Sequence, residues 1–198
     1  MVPKIRSNLQ DPSNGRNGRF LEVGAYDGEW LSNSLGLELH HNWTGVLIEA
    51  APDNYRKLIT KKRNAHLLHA CLDDVRAPVA RFMSPSGTGA AMHDRRADAK
   101  QATVTCVPLQ AVFDALNWPH FDLVTLDVEG HELNILRSID WRRAPVIRFF
   151  QIECNPCKTS AQAIRDWRRI MSQFGYRHVD TVLADDGPID LIFRPENE

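Results

Sequence analysis

Phe20-Leu21-Glu22-Val23-Gly24-Ala25-Tyr26-Asp27-Gly28 reads as a buried strand that ends in a glycine turn and feeds a helix. A second apolar strand, Thr44-Gly45-Val46-Leu47-Ile48, ends in Glu49 about twenty residues on. This pairing has the logic of a nucleoside pocket. Glycines let the backbone approach a ligand, and a carboxylate closing the second strand can accept both hydroxyls of a ribose. The spacing is not G-x-G-x-x-G. Glu22 precedes the turn and Asp27 lies inside it, and carboxylates repel a pyrophosphate. They suit a ligand carrying an ammonium or a sulfonium. S-adenosylmethionine carries both and no phosphate, so it is favoured over a nicotinamide dinucleotide. Tyr26 is placed to lie over the sulfonium or the adenine. A plain strand-to-helix turn with no ligand remains the simpler alternative.

Outward from this stretch, strands alternate with helices. Strands are expected at 19–24, 44–49, 66–72, 79–83, 103–107, 121–127 and 146–153. Helices are expected near 27–40, after Pro52, after Pro108, at 130–138 and at 160–174. Trp30, Leu31, Leu35 and Leu39 are expected along one side of the first helix. Segments 176–183 and 189–194 form a closing antiparallel hairpin. The pattern predicts an α/β, Rossmann-like fold: a seven-stranded, mostly parallel sheet with helices on both faces. Residues 1–18, rich in Asn, Pro, Gly and Ser, read as a flexible leader, and 19–198 as one domain. The loop Ser84–Arg96, with Gly87 and Gly89, is expected to be flexible enough to fold over a site, and the residues that choose an acceptor are expected in 84–101 and in the leader. The basic run Lys61-Lys62-Arg63 reads as a solvated helix end.

Composition excludes some classes. The chain has 198 residues, 43% of them hydrophobic and 25% charged, with a net charge of -1. Bulk electrostatics therefore gives no reason to expect a nucleic-acid partner. No apolar run reaches membrane-spanning length, and the first residues lack the apolar core of a secretory signal, so a cytoplasmic location is expected. Cysteines stand at 71, 106, 154 and 157. Cys154-Asn155-Pro156-Cys157 is read as two ordinary thiols rather than a redox pair, because no thioredoxin-like pattern surrounds it. It also supplies only half of a four-ligand zinc site.

Ligands of such sheets sit beyond the carboxyl ends of the strands. Glu49, Cys71-Leu72, Asp127 and Glu153 all stand at strand ends. Leu72 and Asp73 can wall an adenine and accept its amine. Asp127-Val128-Glu129-Gly130-His131-Glu132 packs three acids and an imidazole into six residues. Methyl transfer needs an aligned acceptor and a group that takes its proton. Asp127, Glu129 and His131 are the candidates, with the helix after Gly130 aiming its dipole at the site. The simpler alternative is that Asp127 caps that helix while Glu129, His131 and Glu132 are surface residues of its first turn. Asp, Glu and His can also bind a divalent ion, but the ligand set is incomplete and no metal is assigned.

These blocks resemble the FkbM-type, class I S-adenosylmethionine-dependent methyltransferases. The similarity covers roughly residues 19–155. It includes Glu22–Gly28, Val46–Tyr55, Cys71-Leu72, Ser86–Ala91, Val107–Leu109 and Asp122–Glu132, the last being the most family-specific. The resemblance implies S-adenosylmethionine as donor, S-adenosylhomocysteine as product, and O-methylation of a hydroxyl on a sugar or small natural-product-like acceptor. Carried over by position, Glu22, Gly24, Ala25, Tyr26, Gly28, Glu49, Ala50, Cys71, Leu72 and Asp127 are expected to line the cofactor pocket. Tyr26–Ser34 is similar to the Star-like branch of the family, known for cargo interaction and trafficking. That branch implies the alternative of a binding module with the fold and without the chemistry.

Overall fold

Seven strands make the main sheet. They are β1 (Arg19–Val23), β2 (Thr44–Glu49), β3 (Ala65–His69), β8 (His120–Leu126), β9 (Val146–Glu153), β10 (Tyr176–Ala184) and β11 (Gly187–Pro195). The computed structural model describes residues 17–75, 78–84, 92–93, 102–184 and 187–197. Strand order is β10-β11-β9-β8-β1-β2-β3. The pairs from β3 through β9 are parallel, while β11 runs antiparallel to both β9 and β10. A second sheet, ordered β4-β7-β5-β6, is built from β4 (Cys71–Leu72), β5 (Val79–Met83), β6 (Met92–His93) and β7 (Ala102–Val107). The single strand expected at 66–72 is thus two strands in two sheets, separated by Ala70.

Strand alternation separates the core into two faces. Leu21, Val23, Val124 and Leu126 point to one side, where helices α3 (Leu109–Leu116), α4 (Glu132–Arg137) and α5 (Ala161–Ser172) bury Val112, Phe113, Leu136 and Met171. Phe20, Leu47 and Leu123 point to the other, against Leu37 of α1 (Leu35–His41) and Leu58 of α2 (Pro52–Leu58). Burial of such side chains contributes about 1.5–3 kcal/mol each. Pro52 opens α2, where a missing N–H costs nothing. No helix among the described residues is long and apolar enough to cross a membrane.

Three expectations are corrected. The first helix does not run from Asp27 to His40; it begins at Leu35. Residues 27–34 form a compact loop in which Leu31 has φ 58°. That loop is held from inside. Glu22, buried, accepts hydrogen bonds from the Ser32 hydroxyl at 2.9 Å and from the Asn33 and Ser34 amides at 2.8 and 3.3 Å, and also from the Ser34 hydroxyl. A buried carboxylate demands such partners, and the loop supplies them in place of helical bonds.

Arg63 is not a solvated residue. Its side chain is 2% exposed. It donates to Glu38 at 2.8 Å, to Ser32 and Ser34 at 3.2 and 2.9 Å, and to the Gly28 carbonyl. The planar fork satisfies four acceptors at once, which a lysine cannot do. The cysteines are not ordinary thiols either. Cys71 bonds to Cys106 across the paired strands β4 and β7, and Cys154 bonds to Cys157. All four are buried. The loop expected at 84–101 falls largely outside the described residues, as do residues 1–16 of the leader.

Candidate functional site

The carboxyl ends of β1, β2 and β8 meet at one point. Gly24 has φ 88°, and its amide and that of Ala25 both donate to the Ile48 carbonyl at 3.0 Å. A Cβ on Gly24 would lie 1.8 Å from the Asp127 carbonyl oxygen. Only glycine permits that approach. The first-strand turn and the acidic cluster, more than a hundred residues apart, are therefore in backbone contact. An open cleft of about 1020 Å³, including its mouth, extends from this point.

One side of the cleft is walled by Gly24, Ala25, Tyr26, Glu49, Ala50, Cys71 and Leu72, joined by Asn54, Ala70 and Met83. Glu49 is buried, and both of its oxygens are engaged. One accepts from the Tyr26 amide at 2.8 Å, the other from the Ala51 amide at 2.8 Å and Asn54 Nδ2 at 3.4 Å. Burial pushes its pKa up, and these hydrogen bonds hold it back. Glu49 thus pins the Tyr26 turn, where φ is 51°, to the second strand. The Ala50 amide is a further donor to it, so any ligand hydroxyl would share its oxygens with these groups. One face of the Tyr26 ring meets Lys57, whose Nζ lies 5.6 Å from the ring centroid.

Three residues drawn into the pocket by sequence reasoning are committed elsewhere. Gly28 stands outside the cleft wall; a Cβ there would lie 2.4 Å from Leu58, so the position serves packing against α2. Asp27 also stands outside. Its Oδ1 accepts from the Glu29 and Trp30 amides at 2.9 and 2.7 Å, so the turn's acidity is spent on its own backbone. Asp73 meets Asn134 at 3.3 Å and Arg81 at 3.4 Å, and does not line the cleft. Glu22 does line it, but its oxygens serve the 32–34 loop.

The other side is acidic. Asp127, Glu129 and Glu153 each place a carboxylate oxygen within 4.8 Å of the others. Asp190, paired with Glu153 across β9 and β11, stands close behind. Burial, then the charge and hydrogen bond of Glu153, push Asp127 up to about 9. Burial also raises Glu153, while its hydrogen bond with Asp127 pulls it down. Each carboxylate disfavours ionisation of the other, so the pair holds a proton more tightly than either would alone. Asn155 orients Glu153 with a bond of 2.9 Å. Burial raises Glu129 too. His131 is the N-cap residue of α4 and lines the cleft, with Nδ1 buried and without a partner.

Asp127 does not cap α4, because the residue in the N-cap position is His131. Buried Glu132 accepts from the Val128 and Gly130 amides at 3.0 and 3.1 Å and so takes the free donors of the turn. The sequence marks Glu153 as a strand end that could face the same cleft, and it lines the cleft; Asp190, Asn54 and Arg63 were given no place at the site. Apart from the alternation of strands, nothing local in the sequence points to them, because register between distant strands creates their neighbourhoods.

The profile of the Methyltransferase FkbM domain matches residues 22–178, and the chain belongs to that family. No curated protein matches the sequence. Among solved structures, the chain is similar to a methyltransferase FkbM from Methylobacillus flagellatus KT. Identity is 15% and the TM-score 0.60, over 96% of this chain and 46% of that one. It therefore spans about half the length of that relative. It is also similar to a putative O-methyltransferase from Klebsiella pneumoniae, with 13% identity and TM-score 0.51, over 92% of this chain and 74% of that one. A third similar structure is a pericyclic reaction enzyme, with 8% identity and TM-score 0.50, over 94% and 47% of the two chains. The first two relatives agree with the class I methyltransferase fold. The third illustrates that the fold alone does not name a reaction.

Proposed function

We propose that this FkbM-family domain transfers a methyl group from S-adenosylmethionine to a hydroxyl of a small-molecule or glycan acceptor. The observation that carries the reading is the meeting of the Gly24 turn with the Asp127–Glu153 pair at one end of one cleft. A donor-binding turn and a proton-accepting group must lie that close for in-line transfer.

The donor set fits this cofactor. Five carboxylates and no lysine or arginine line the cleft among the described residues. That suits a ligand with sulfonium and ammonium charges and disfavours a pyrophosphate. Glu49 would receive the ribose hydroxyls beside the backbone donors it already holds. Ala50, Cys71 and Leu72 would wall the adenine. When bound, S-adenosylmethionine supplies an activated methyl group. The chain's own contribution is placement and proton transfer. Glu153, facing the cleft, takes the proton of the acceptor hydroxyl, and Asp127, hydrogen-bonded to it, keeps that carboxylate oriented. Glu129 and His131 border the acceptor.

Calorimetric titration with S-adenosylhomocysteine tests the donor half. Wild-type protein should bind it, and Glu49→Ala should weaken binding more than it slows turnover at saturating donor. Unchanged binding by Glu49→Ala would remove the ribose assignment, and no binding by the wild type would remove the proposal. Binding without transfer to any acceptor would favour the module reading raised by the sequence.

A further inference from the structure

Trp30 and Leu31 are 58% and 53% exposed, and both line the mouth of the cleft. The other four tryptophans are buried or half-buried. Exposure here is not slackness. Asp27 holds the Trp30 amide at 2.7 Å, Glu22 and Arg63 clamp Ser32 and Ser34, and Leu31 is forced to φ 58°. A bulky residue in the left-handed region is strained, and such strain persists only where the surroundings impose it. The interior gains nothing in return, because both side chains point out of the core. Glu129, which lines the same cleft, stands at φ 56°. Left-handed backbone thus occurs at two residues of one cleft, Leu31 and Glu129.

We infer that Trp30, with Leu31, is the acceptor-selecting lip: a platform for the apolar face of a neutral or cationic ring whose hydroxyl or amino edge reaches Glu129 and Glu153. An exposed indole at a cleft mouth offers a large, stiff apolar surface. The facing carboxylates accept hydrogen bonds and offer none to an anion. With no lysine or arginine among the described lining residues, an acidic acceptor finds no such side chain there to pair with and faces the carboxylates instead. The inference rests on the proposed methyl transfer and adds which residue chooses the acceptor and which charge is refused.

The experiment is a transfer assay with S-adenosylmethionine over matched neutral, amino and carboxylate-bearing glycosides. The best acceptor is then compared among wild type, Trp30→Ala and Trp30→Phe. Trp30→Ala should raise the acceptor KM about tenfold, with kcat changed by less than about twofold, and Trp30→Phe should restore most of it. S-adenosylhomocysteine affinity should not move in either variant, and the carboxylate-bearing glycosides should not be methylated. Three results overturn the inference. They are an unmoved acceptor KM, an equal loss of S-adenosylhomocysteine affinity (which makes the lip a donor cover), and a preference for the acidic members. If the wild type binds S-adenosylhomocysteine yet methylates no ring in the panel, the ring assignment also fails. Failure of the wild type to bind S-adenosylhomocysteine refutes the underlying transfer reading instead.

Discussion

Arg63→Ala should unfold the cleft's rim before it touches the chemistry. The guanidinium is almost wholly buried and satisfies Glu38, two serine hydroxyls and the Gly28 carbonyl. Truncation leaves Glu38 without its cation, although the Asn64 amide still donates to it at 2.9 Å. Removing one partner of a buried ion pair costs about 3–5 kcal/mol, because the remaining charge stays desolvated. For a domain of this size that lowers the melting temperature by roughly 6–20 °C. Urea denaturation gives the free energy directly, and the m-value should stay near wild type, since the same core unfolds. Arg63→Lys keeps the charge but not the fork, and should fall between the two. Pairing Arg63→Ala with Glu38→Gln should recover part of the loss. A loss below about 1 kcal/mol for Arg63→Ala would refute the account of the 28–34 loop as a clamped element.

Two further outcomes follow from the same geometry. Gly24→Ala should cost more than about 3 kcal/mol and abolish S-adenosylhomocysteine binding, because its Cβ would sit 1.8 Å from a backbone carbonyl at a φ of 88°; native stability by denaturation would contradict the close approach. Asp127 sets a pH dependence: between the ordinary aspartate pKa of about 4 and about 9 the folded chain keeps a proton that the unfolded chain has lost, so its contribution to stability falls as pH rises across that window. Asp127→Asn should therefore flatten the fall in melting temperature from pH 5 to 8, and an unchanged slope would show that Asp127 is ionised.

Much of the fold is legible because periodicity is local. Thr44–Glu49, Val146–Glu153 and the helix after Pro52 are runs whose pattern and punctuation lie within a few residues. The loop at 27–34 was not legible. Trp30, Leu31, Leu35 and Leu39 have helical spacing, yet Glu22, a buried acid on another element, outcompetes the helix for the local amides. Arg63 misleads for a related reason: a basic run looks solvated until a distant Glu38 turns one member inward. At the site, the Gly24 turn, Glu49 and Asp127 are marked by their strand ends. Asp27 and Gly28 carry the same marks but are consumed by turn and packing. Residue type and spacing do not separate the two cases; the direction of the side chain does.

The paired cysteines bear on where and when the chain folds. Cys71, Cys106, Cys154 and Cys157 are all shut beneath the surface. An oxidant must reach them before the core closes over them, so oxidation belongs to the folding process itself. The Cys71–Cys106 bond closes a span of 35 residues and staples the wall of the cleft to its neighbouring strand. In a reducing cytosol the same residues remain thiols, and that wall is held by packing alone. The compartment that makes the protein thus decides how firmly its cleft is built.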